Sequence, residues 1–389
     1  MPSFLTAVSL SLSLLSFLGS APVASAGSSC VAMDINWNLH VFGYGGKDYN
    51  AGTKDSWGSG TASEITADGR PPFDGDNVTC YFAQFFNAIY VLGADKSDPS
   101  AIYIYNVAGK SWSKESVNAG SLDTSDYKAI LDHDTNVFYA VSHNELFSLD
   151  MGDQTAAKDG AAWNDVQSAG FPDSYKPVMA LAQNHIHFLN VPDVDEGNAK
   201  IFVIHFSYMQ PEAQYYGGFP KTNGQAGSIF LNEGVQQEFF FIPDDGSATY
   251  VINVESNSTK TLAGPSATDA AASYFGAPDS IVQVTTSGDV SYIPYDANSD
   301  GAGAQWSAVQ NLASFKPSAS ASSGASQTGS ATGSGAASSG SATGSAQSAS
   351  ASGGAAQSGD NNNGASGGMA GAGAAVAAVA ALALSALVL

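Results

Sequence analysis

An all-β fold built as a β-propeller is predicted by three observations. Apolar β-runs recur along the chain with anchors at Leu39, Ile89, Phe138, Ile186, Phe239 and Ile281, at separations of 50, 49, 48, 53 and 42 residues. A unit of about 48 residues with three or four short strands is the period of a propeller blade, and the 3.6-residue period of a helical repeat is absent. The composition agrees, with 42 Gly and 11% aromatic residues, which suit strands joined by many turns. Finally, the repeats fill residues 27–316, longer than one β-sandwich and spaced as a sandwich has no reason to be. Six units fit; a seventh requires the stretch 47–76 to form a blade of its own.

Within each unit an apolar run precedes the anchor, beginning at Val31, Tyr81, Tyr127, Val178, Ser228 and Ala272. Asn87, Asn136, Asn184 and Asp279 stand two residues before their anchors, where a tight turn tolerates positive φ. A third run follows, as at Ala101, Glu145, Lys200, Ala248 and Val290. Three units then close on a tryptophan, Trp112, Trp163 and Trp306, at 23, 25 and 25 residues past the anchor.

With the stretch Phe42, Gly43, Tyr44, Gly45, Gly46 after the second strand and these tryptophans after the third, the unit resembles a degenerate kelch repeat. The resemblance is to the galactose oxidase-like propeller superfamily and covers most of residues 27–315. Secreted, glycosylphosphatidylinositol (GPI)-anchored kelch-like proteins of this layout are familiar from fungal cell surfaces, so the resemblance implies a fungal-type surface protein. It also raises copper radical oxidases, which need a Cys joined to a Tyr beside the metal together with His ligands. Here the two cysteines, Cys30 and Cys80, each lie nine residues before their anchors, at one position in successive units. Adjacent blades bring such positions together, which predicts a Cys30–Cys80 disulfide and leaves no thiol for that cofactor.

The ends read as addresses. An apolar run from Leu5 to Leu18, followed by Ala24, Ser25 and Ala26, predicts a signal peptide over 1–26. Residues 317–363 are almost all Ser, Ala and Gly, a composition that cannot bury enough apolar surface to order itself and that suits an O-glycosylated stalk. Small residues at Asn363, Gly364 and Ala365 precede an uncharged Ala/Val/Leu tail, which predicts a GPI signal over 364–389 with Asn363 as attachment site and Asn362 or Gly364 as neighbours. The expected location is the outer cell surface, on the plasma membrane through the GPI lipid or in the wall. Sequons at Asn77 and Asn257 then become N-glycosylation sites.

Charge excludes one class of partner. With 13 Lys+Arg against 35 Asp+Glu the formal net charge is −22, and Asp360 is the only charged residue after Lys316, so the repeats carry −21 and do not suit nucleic acid. No nucleotide-binding glycine loop, nucleophile elbow or sialidase-type box is present, and no catalytic residue is assigned. Three groups remain as candidate sites. Tyr44, Tyr49 and Trp57 lie in a Gly-rich loop with Lys47, Asp48, Lys54 and Asp55, where aromatic rings either stack on a sugar or fold inward and cap the fold. His185 and His187 share one strand face, and His205 joins them if the next strand pairs in even register; three imidazoles suit zinc or copper, or wedge between blades as hydrogen-bonded core. Asp296, Asn298 and Asp300 match the start of a calcium loop, but Ser307 stands where a bidentate Glu belongs, which leaves a solvated acidic hairpin as the other reading. No cofactor is expected beyond these possible ions, and a monomer is expected. The favoured function is recognition of a glycan or a surface protein; the alternative is a secreted enzyme, a metal oxidase or a carbohydrate-active enzyme, with its site at the axis.

Overall fold

The computed structural model describes residues 28–317; the expected signal peptide, the stalk beyond its first residue, the attachment site Asn363 and the 364–389 tail lie outside the described residues. Six antiparallel sheets stand in chain order around one axis, each contiguous in sequence. Blade 1 runs outward from Cys30–Met33 through Leu39–Tyr44 and Lys47–Asn50 to Ser63–Glu64. The innermost strands of blades 2 to 6 are Thr79–Ala83, Lys128–Asp132, Val178–Ala182, Gly224–Ser228 and Ser273–Ala277. Neighbouring innermost strands lie side by side, and the sixth lies against the first, so the ring is closed. Among the described residues there is no seventh blade: residues 47–76 supply the two outer strands of blade 1 and its connection to blade 2.

Local chemistry accounts for the hairpins. Asn87, Asn136 and Asn184 take φ of +48°, +57° and +56° at the turns before the second strands, as their short polar side chains permit; Asp279 is not among the positive-φ residues. The outer edge of blade 4 is split into Tyr208–Met209 and Gln214–Tyr215, both paired to Asn198–Val203, with Pro211 between them, where the missing N–H ends the ladder.

The cores sit between blades rather than within them. One cluster holds Tyr90, Phe138 and Trp163 between blades 2 and 3, and others hold Phe171, Phe188 and Phe202 between 3 and 4, and Phe239 and Phe241 between 4 and 5. Trp112, Trp163 and Trp306 are all buried near the outer strands, Trp112 edge-on to Phe42 at 5.1 Å. The repeated tryptophan is therefore a filler where two blades splay apart.

Because no strand is shared between the last blade and the first, their joint is made by side chains and by the segment after blade 6. Tyr44, Tyr49 and Trp57 make this joint and are only 2%, 4% and 0% exposed. The Tyr44 hydroxyl donates to the Gly288 carbonyl at 2.8 Å, Tyr49 stacks on Phe315 at 4.5 Å, and Trp57 meets Tyr292 edge-on at 4.8 Å. The short 3-10 helix Gln310–Phe315 follows, and the amides of Gln310 and Asn311 both donate to the Trp57 carbonyl. Lys54 reaches Asp279 of blade 6 at 3.0 Å. The buried Asp48 carboxylate takes a two-pronged contact from Arg70, both arms at 2.8 Å, and accepts the Gly43 amide at 2.9 Å. These aromatic rings are buried in the ring joint, the inward-folded arrangement of the two that the sequence allowed.

On the other side of blade 1, Cys30 and Cys80 are bonded across the first two innermost strands, with Cα atoms 5.6 Å apart. The bond closes a loop across 50 positions, which limits the unfolded chain by about 4 kcal/mol in the loop-entropy picture. Trp57→Ala is expected to cost about 3–5 kcal/mol through the cavity it leaves, and the paired change Cys30→Ser, Cys80→Ser about 4 kcal/mol. Urea unfolding of the two variants checks this, and a loss below about 1 kcal/mol for Trp57→Ala would remove that ring from the joint.

Candidate functional site: an axial cup with an aromatic floor

The innermost strands enclose a cavity of about 700 Å³ that opens at the end where one blade connects to the next. Its rim is formed by those connections, among them Asn77, Asp126, Lys176 and Ala270, and its wall by the upper residues of the innermost strands of blades 2 to 6. The opposite end is shut. There the hairpin of blade 5 carries a long loop, 229–237, whose Phe230 lies on the axis between Phe82 of blade 2 at 5.5 Å and Phe275 of blade 6 at 5.1 Å, the latter pair stacked at 7°.

Every other blade holds this loop. The indole N–H of Trp37 donates to Asn232 Oδ1 from blade 1 at 2.6 Å, and Gln84 Nε2 donates to the Leu231 carbonyl from blade 2 at 2.7 Å. His133 of blade 3 lies 5.0 Å from the Phe230 ring. The Gln183 amide of blade 4 donates to the Gln236 carbonyl at 2.8 Å, and the Phe230 amide donates to the Gly276 carbonyl of blade 6 at 3.1 Å. A loop fixed at this many points is a permanent floor, and the axial space is a cup rather than a channel.

Two features were misjudged in sequence. The run at 228–231 has the pattern of an inner strand, yet the strand is Gly224–Ser228 and Ile229 and Phe230 belong to the floor. Ile229 is buried with Phe240 and Ile281 between blades 5 and 6, and Phe230 packs on the axis. The floor loop also explains why Ile186 and Phe239 are 53 residues apart, the longest interval of the series. The second feature is Lys128, which opens the innermost strand of blade 3 and lines the cup, its Nζ 3.4 Å from Gln225 Oε1 of blade 5. A charged residue at the head of an otherwise apolar inner run, as at Lys128, was the signal that could have found it.

The expected metal sites do not assemble. His187 pairs with Ile201 and His185 with Val203, the even register foreseen, but the strand ends at Val203 and His205 lies in a 3-10 turn beyond it. His187 is buried, its Nε2 3.1 Å from the Tyr216 hydroxyl and its ring 5.3 Å from Phe239. In the acidic hairpin, Asp296 Oδ1 accepts the Asn298 amide and Asp300 Oδ1 accepts the Ala302 amide, each at 2.9 Å, so both carboxylates are turned onto their own loop. Among the described residues no three His, Cys, Asp or Glu side chains are grouped to hold a metal ion. Asn77 is exposed on the rim of the cup, and Asn257 is exposed on blade 5, where Gln214 Nε2 donates to its Oδ1 at 3.2 Å.

The floor is sensitive to acid. Burial holds the His133 imidazole down to about 4 from the ordinary 6.5, against the opposing pull of Asp132 and Gln236; Asp134, 3.4 Å from its Nε2, is itself pushed up by burial. Burial likewise lowers His187 to about 3. Between these values and 6.5 the unfolded chain binds protons that the folded chain refuses, so stability is full above pH 6.5 and drains as the pH falls toward 4. His133→Phe, which needs no proton, is expected to remove roughly 3 kcal/mol of that acid-induced loss. Chemical denaturation of both proteins at pH 7 and near pH 4 measures it; parallel losses would contradict it.

No family model matches the chain, and no curated protein matches it.

Proposed function

We propose that the chain is a cell-surface binding propeller whose axial cup takes a glycan, displayed on a Ser/Ala/Gly-rich stalk with a GPI anchor. The observation that carries this reading is the cup itself: an aromatic floor for an apolar sugar face, below walls that present Gln225, Ser228, Ser273 and Thr79 for hydroxyl groups. A site of this volume, apolar at the base with a few polar groups above, is the usual form of a small-ligand pocket. The two leader-and-tail patterns at residues 1–26 and 364–389, with the hydroxyl-rich stretch between fold and tail, support display at the surface.

A glycan array probed with the secreted protein tests binding. Ala270 is exposed on the rim, and Ala270→Trp fills the mouth without entering any core. That variant is expected to lose array binding with an unchanged melting curve; undiminished binding would move the site off the axis. Release of the protein from cells by a phosphatidylinositol-specific phospholipase is expected, and protein that stays on the membrane after that treatment would count against the anchor.

A further inference from the structure

Cations are scarce in this protein, and their placement is informative. The whole chain sets 13 Lys+Arg against 35 Asp+Glu, yet the cup is lined by Lys96, Lys128 and Lys176 against Asp76, Asp95, Asp126 and Asp173. The rim groups are largely matched among themselves. Lys96 lies 3.6 Å from Asp76, Lys176 lies 3.8 Å from Asp126, and Asp95 holds Lys114 at 3.1 Å.

Lys128 is different. Its side chain leaves blade 3, passes the head of the blade 4 strand and ends at Gln225 of blade 5, so the amine lies across the throat of the cup. Among the described residues no carboxylate is within ion-pair distance of it, and its one side-chain hydrogen bond there is to the Gln225 amide oxygen at 3.4 Å. Gln225 is set to offer that oxygen, because its Nε2 donates to the Ala270 carbonyl at 2.8 Å. The other titratable groups around this recess are Lys176 and Asp244. Burial pushes the Lys128 amine below the usual lysine range, as it does for a cation taken out of water without a counter-ion. Phe82 lies three residues further from the mouth along its own strand than Thr79, which puts the aromatic floor roughly 10 Å below the rim. One pyranose ring fits that depth.

On the reading that the cup is the binding site, we propose that Lys128 is its carboxylate-recognition point and that the ligand is an acidic sugar, a uronate. The carboxylate meets the amine at the throat and the ring lies toward Phe230 and Phe275. A ligand carboxylate supplies the counter-charge that the fold withholds, and a neutral sugar leaves the amine as it is. Lys96, Lys114 and Lys176, paired with Asp76, Asp95 and Asp126, weaken the repulsion of such an anion by three of the four Asp side chains of the cup.

Titration calorimetry of the secreted full-length protein with glucuronate and, separately, with glucose is the test. Glucuronate is expected to bind at least about tenfold tighter, which is about 1.4 kcal/mol. Lys128→Met retains the apolar stem and is expected to abolish the preference, bringing the ratio of the glucuronate and glucose affinities to about one; Lys128→Gln serves the same purpose if the Met variant melts early. Equal affinities in the wild type, or a preference for glucuronate that survives both substitutions, would overturn the assignment and leave the axial site standing. Binding of both sugars that persists in Ala270→Trp would show instead that the axial site is wrong, and no binding of either sugar would overturn the uronate.

Discussion

The structure depends on one joint, that between the sixth blade and the first. A propeller of contiguous blades has two loose ends that no backbone ladder connects, and an open ring would expose the inner faces of both. Here the joint is made by buried aromatic rings, Tyr44, Tyr49 and Trp57, against Gly288, Phe315 and Tyr292, and by two amides of the final 3-10 helix that converge on one carbonyl. The disulfide then secures the far side of blade 1, so the blade is held on both flanks. That is why the first unit carries the long Gly-rich segment that the others lack. Gly43, at φ +74°, shows how tightly that segment is folded in: a Cβ added there would lie 2.4 Å from the Ser28 carbonyl oxygen and 2.7 Å from the Phe73 ring.

The floor of the cup follows from the same constraint. Six blades leave space along their common axis, and apolar strand edges facing that space need a cover at one end. Blade 5 supplies it by giving up its tight hairpin for a nine-residue loop, 229–237, whose Phe230 replaces water on the axis. Each of the other five blades contacts the loop, so the floor also reports whether the ring is closed. Loss of the joint would splay blades 1 and 6, and with them Trp37 and Phe275.

What was legible in the sequence was the repeat, because the second strand of each blade is largely buried and reads as a mainly apolar run. The disulfide was legible for the same reason, since equal offset from an anchor means equal height on the axis. What was not legible was anything that depended on which surface buries a side chain. Tyr44, Tyr49 and Trp57, in a polar Gly-rich loop, have the look of exposed ligand contacts, and only the joint with blade 6 explains their burial. Phe230 imitates a strand residue because periodicity does not distinguish a sheet from an axis. His205 misses its partners because a strand ended two residues early, at Val203.

Lys128 draws these threads together. In an acidic fold an unpaired lysine on the outside costs nothing and finds anions everywhere, whereas one across the throat of a cavity gives up hydration without gaining a fixed partner. The fold bears that cost at a position where Leu, Met or Gln would keep the strand and fill the throat. Its neighbours on the strand, Ala129, Ile130 and Leu131, are all buried, so the strand has no need of the charge. The amine, unpaired by any carboxylate among the described residues and held by Gln225 at the mouth of the cup, is the feature on which the proposed carboxylate site rests.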